Sequence, residues 1–101
     1  MEMAPAQVSL SVGGNPVELQ RFVWGFIEHT VCGMVSALEG IADIQEVYLS
    51  VDGDAVHVKV NDEQVPVNLF VSKIIANSVR GMVSPLKGVG ETGNVLINIT
   101  R

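Results

Sequence analysis

Apolar and polar residues alternate in four short stretches of this chain. Val8, Leu10 and Val12 are separated by Ser9 and Ser11, and Val47, Leu49 and Val51 by Tyr48 and Ser50. Val56, Val58 and Val60 are separated by His57 and Lys59, and Val95, Ile97 and Ile99 by Leu96 and Asn98. A period of two predicts strands with one buried and one wet face. Gly13-Gly14 stops the first strand, and Gly53-Asp54 suits a two-residue hairpin turn between the second and third.

Two stretches follow a helical period instead. Leu19, Phe22, Val23, Phe26, Ile27, Thr30, Val31 and Met34 recur at steps of three and four, predicting an amphipathic helix. Asn15-Pro16-Val17-Glu18 reads as its start, with Asn15 as cap and Pro16 in the first turn. Its end falls near Val35 or Leu38, with Gly40 as the stop. The second helix carries Phe70, Val71, Ile74, Ile75, Val79, Met82 and Val83. Pro66 and Asn68 compete for its start, and Pro85 ends it near Ser84. Ser36-Ala37-Leu38-Glu39 and Ser84-Pro85 predict one further broken turn after each helix.

The two halves repeat. Gly33-Met34-Val35-Ser36 returns as Gly81-Met82-Val83-Ser84, 48 positions later. At the same offset Val8 matches Val56, Phe22 matches Phe70, Val23 matches Val71, Ile27 matches Ile75, and Val47 matches Val95. Residues 1–6 read as a flexible lead, and 7–101 as one domain with repeats 7–53 and 55–101. Each strand–helix–strand copy leaves a sheet face and a helix stripe uncovered, so the copies must pack together. The α+β arrangement that does this is a ferredoxin-like βαββαβ plait: four antiparallel strands in order 4-1-3-2, both helices on one face. Strand four, residues 94–100, is then an uncharged edge with Leu96 and Asn98 pointing outward, a hazard unless a copy covers it. A homo-oligomer through that edge is expected, with Trp24 of helix one as the competing contact. Gly33 and Gly81 read as close-packing positions between the helices or against the sheet.

Composition narrows the class. With 101 residues, 48% of them hydrophobic, the chain suits one globular core. The net charge of -5 and six scattered Lys and Arg disfavour nucleic acid. There is no apolar run long enough for a bilayer and no signal-peptide pattern at Met1–Pro5, so a cytoplasmic location is expected. A single cysteine forms no internal disulfide.

Three groups of residues carry candidate chemistry. In the plait, Gly13, Gly14 and Asn15 share one sheet end with Lys87, Gly88 and Gly90, beside the first helix's N-terminus; a small anion is the candidate occupant. Gly88-Val89-Gly90-Glu91-Thr92-Gly93 spells a dinucleotide pattern, but in the wrong helix-to-strand context. The open sheet face presents Tyr48, His57 and Lys59, with no carboxylate placed to orient His57. His29 and Cys32 share one side of helix one, too few ligands for zinc. No nucleophile–base–orienter set stands out. The sequence therefore points to a self-associating interaction or regulatory domain without cofactor or metal. The alternative is a small enzyme with its site between subunits.

Overall fold

The computed structural model describes residues 7–38, 43–53, 55–86 and 94–101. Its elements run β1 (Gln7–Val12), β2 (Asn15–Val17), α1 (Arg21–Ser36), β3 (Glu46–Asp52), β4 (Ala55–Val60), β5 (Glu63–Val65), α2 (Leu69–Val83) and β6 (Val95–Thr100). They form one antiparallel sheet in the order β2-β1-β6-β3-β4-β5. The inward residues of every long strand are buried, from Val8, Leu10 and Val12 to Val95, Ile97 and Ile99. They share one core with Ile27, Val31 and Val35 of α1 and Ile75, Val79 and Val83 of α2. Both helices therefore cover one face, and the polar residues of the alternation stay on the other.

The α+β class holds, but the ferredoxin-like plait does not. The sheet has six strands, and its long strands run β1-β6-β3-β4 rather than 4-1-3-2. The cause is local. Gly13 and Gly14 have φ of 59° and 83°, and Asn61 and Asp62 have φ of 50° and 70°. Two successive left-handed residues make a tight hairpin turn whose twist suits paired strands. Each first strand of a repeat folds back on a three-residue partner, β1 on β2 and β4 on β5. That partner takes one hydrogen-bonding edge, so neither β1 nor β4 can be central. The centre falls to β3 and β6.

The hairpins also correct the first helix start. Asn15-Pro16-Val17 is strand, not helix, and α1 begins at Arg21 after Gln20. Pro16 is tolerated because β2 is outermost, where a missing ladder donor is admitted. In the second half Asn68 wins over Pro66: its Oδ1 accepts from the Val71 N–H at 2.8 Å. Gln20 holds the equivalent position without a side-chain cap bond. Both helices end in one hydrogen-bonded turn, Leu38 N–H to the Val35 carbonyl and Leu86 N–H to the Val83 carbonyl, each 3.0 Å.

The register makes the repeat a rotation. Leu49 faces Ile97, its own counterpart, in the central β3–β6 pair. Leu10 opposite Ile97 and Val58 opposite Leu49 are likewise one contact seen twice. A pseudo-twofold axis thus passes through the sheet between Leu49 and Ile97. Because both helices share one face, this axis stands across the sheet and sets α1 and α2 antiparallel, α1 over β1 and α2 over β4.

Side-chain bonds fasten the two ends. Asn61 Oδ1 accepts from the N–H groups of Gln45 (2.8 Å) and Glu46 (3.0 Å), and its Nδ2 donates to the Asp43 carbonyl at 2.6 Å. Arg101 donates its backbone N–H to Gln45 and its Nε to Glu28 Oε2 at 3.0 Å, tying α1 to the end of β6. At the matching place in the other half, Arg80 of α2 donates to the Gly53 carbonyl.

Candidate functional site

The helical layer departs most from the sequence expectation. Phe22 and Phe26, assigned to the core stripe by their spacing, are 79% and 54% exposed. Their counterparts on α2, Phe70 and Ile74, are 72% and 46% exposed, with Leu69 beside them. The phenyl rings of Phe22 and Phe26 lie 6.4 Å apart at a tilt of 51°. Ile27 and Val31 of the expected α1 stripe are buried, joined by Cys32 and Val35, and so are Ile75, Val79 and Val83 of the α2 stripe, joined by Ala76. The helices are rotated from the position the aromatic spacing implied.

That rotation bears on three further places in the helices. Gly33 and Gly81 are not packing positions: they are exposed, and a Cβ built at either meets nothing within 4 Å. Trp24 is half-buried and packs against the core. Cys32 is buried while His29 is exposed, so the two do not share the outer side of the helix. Burial pushes the Cys32 thiol above its ordinary pKa; nearby Arg101 draws it down and Glu28 adds to the rise. Among the described residues no cluster of three or more His, Cys, Asp or Glu is placed to hold a metal ion.

The open sheet face is as the alternation predicts. Ser50 pairs with His57 and Tyr48 with Lys59 across β3–β4, and Gln64 of β5 continues the row beside Lys59. Tyr48, Ser50, His57, Lys59 and Gln64 line one shallow cleft of about 280 Å³. Gln64 was hidden from sequence reasoning because its strand was not foreseen. The same places in the other half hold Leu96, Asn98, Ser9, Ser11 and Pro16, so the ionisable groups occur on one side of the dyad only.

Leu96 and Asn98 are not at an edge. They lie in β6, which is bonded to β1 on one side and β3 on the other. The premise of an uncovered 94–100 strand is overturned, because the hairpins move the edges to β2 and β5. The glycine-rich end also changes. Gly13 and Gly14 form the β1–β2 turn and Asn15 lies in β2, while α1 begins at Arg21 after the Gln20 cap. Lys87, Gly88 and Gly90 lie outside the described residues.

Compared with known proteins, the chain matches no family model, no curated protein and no solved structure. Among the described residues, no helix is long and apolar enough to cross a membrane.

Proposed function

We propose that this protein is a non-enzymatic interaction module of regulatory type, which docks through its helical layer. One observation carries the reading: the large apolar residues left in water are the same positions in both halves, Phe22 with Phe70 and Phe26 with Ile74. Scattered exposed apolar residues need no explanation, but a duplicated set on one face marks a contact surface. Association by strand addition is disfavoured. The edges β2 and β5 have three residues each and carry Pro16 and Glu63, features that blunt an edge.

The test is a photo-crosslinking residue placed at 22, 70 or 48 in the cells that make the protein. Discrete adducts from 22 and 70, and none from 48, support docking through the helices. Adducts from 48 alone, or none at all, overturn it.

A second reading rests on the Tyr48–His57–Lys59 cleft, whose groups the other half lacks. In it the cleft takes a small ligand anchored by Lys59, with His57 as the acid–base group. Amide shift mapping against small carboxylates and phosphates tests it: shifts centred on His57 and Lys59 support it, and shifts elsewhere exclude it.

A further inference from the structure

We propose that the helical layer docks on a second copy of this chain, helices against helices, across a twofold axis lying in the plane of the layer. The inference rests on the docking reading above and names its occupant.

Steps of four and seven residues keep to one stripe of a helix. Phe22, Phe26 and Gly33 are such a stripe on α1, and Phe70, Ile74 and Gly81 on α2, all exposed. Each stripe is bulky near its helix N-terminus and bare near its C-terminus. An added Cβ at Gly33 or Gly81 meets nothing within 4 Å, so neither glycine serves contact inside its own chain. Glycine is otherwise unfavourable in a helix interior.

The internal dyad sets the helices antiparallel. The bulky half of one therefore lies beside the bare half of the other. Viewed from outside, the layer has bulk along one diagonal and gaps along the other. Turning a second copy over about an axis in the layer exchanges those diagonals. Its phenyl groups then come down over Gly33 and Gly81, and the first copy's phenyl groups over the second copy's glycines. An unrelated partner would have to match this pattern independently, whereas a copy matches it by symmetry. Size agrees as well. The whole slab is 38 × 36 Å across its two long axes, so its helical side has room for the roughly 800 Å² per partner that a stable interface needs.

Sedimentation velocity on the full chain, from low to high micromolar concentration, tests the proposal. Two double variants remove opposite halves of the fit: Phe22→Asp with Phe70→Asp removes the bulk, and Gly33→Leu with Gly81→Leu fills the gaps. The leucines have open space in the monomer and raise helix propensity, so a folded chain is expected by circular dichroism. Wild type should sediment as a dimer, and each double variant should weaken the dimer roughly tenfold or more. Tyr48→Asp, on the open sheet face, should leave it intact. A dimer that survives both double variants overturns the inference. A wild-type monomer at high micromolar concentration also overturns it. If crosslinkers at 22 and 70 then still capture a different protein, the docking reading stands without self-association; if they capture nothing, both fall.

Discussion

Asn61 and Gly13 stand at the same point of the two halves, and only Asn61 has a side chain that ties down the chain ahead of a central strand. Their backbones behave alike: Asn61 donates to the Glu46 carbonyl at 2.9 Å, and Gly13 to the Asn94 carbonyl at 2.7 Å. Asn61 adds three side-chain bonds to Asp43, Gln45 and Glu46. Asn61→Gly keeps the left-handed turn and removes those bonds. It should cost about 1–3 kcal/mol in denaturant unfolding. Gly13→Asn, with open space and φ of 59°, should be neutral or gain up to about 1 kcal/mol by reaching the Asn94 amide. A destabilised Gly13→Asn would show that the two turns are not equivalent.

Helix capping gives a second matched pair. Asn68→Ala removes an observed cap and should lower stability by about 1 kcal/mol. Gln20→Asn supplies one where none is present and should raise stability by about 0.5–1 kcal/mol. Thermal unfolding of both variants checks the opposite signs.

The Cys32 thiol gives a pH dependence. Its folded pKa is raised by burial, so its contribution to stability is complete below the unfolded value and is lost as pH rises through the folded one. Wild type should therefore lose more stability than Cys32→Ala between about pH 8 and 10, where free thiols ionise. Arg101 lowers this pKa, so Arg101→Gln should make the thiol still slower to alkylate at a given alkaline pH. The same change should cost no more than about 1 kcal/mol, because the Arg101–Glu28 pair is partly solvated. Equal alkylation rates in the two proteins would remove Arg101 from the thiol's surroundings.

Proline reports which strands are outermost. Gln64 of β5 is the counterpart of Pro16 in β2, and both lie at the sheet's margins. Gln64→Pro should change stability by no more than about 1 kcal/mol. Ile97→Pro interrupts a strand with partners on both sides and should cost about 3 kcal/mol or more. Chemical unfolding that ranks them in the reverse order would contradict the strand order.

The alternating stretches made the four long strands legible, because one wet and one buried face leave a period of two. The 48-residue offset and the Asn68 alternative were legible too. Strand order was not, because alternation says which side is buried and nothing about which neighbour is bonded. The deciding signal was present in Gly13-Gly14 and Asn61-Asp62. The glycine pair reads equally as a strand stop, and the short partners have no apolar period of their own. Phe22 and Phe26 misled for a different reason: their spacing is helical, but spacing cannot separate a stripe that faces the sheet from one that faces away from it. The open-face cleft was half legible. Tyr48, His57 and Lys59 follow from the β3–β4 register, while Gln64 depends on the unforeseen hairpin.

The dyad between Leu49 and Ile97 bears on where the chain needs to begin. Gln7 pairs with Thr100 as Ala55 pairs with Asp52. The two ends of the domain are thus neighbours in the same geometry as the two sides of a hairpin. A short turn joining Arg101 to Gln7 in place of residues 1–6 would repeat the link that already runs from Asp52 to Ala55. The chain could then be opened at Gly53 instead, yielding a circular permutant whose second repeat comes first and whose sheet is unchanged.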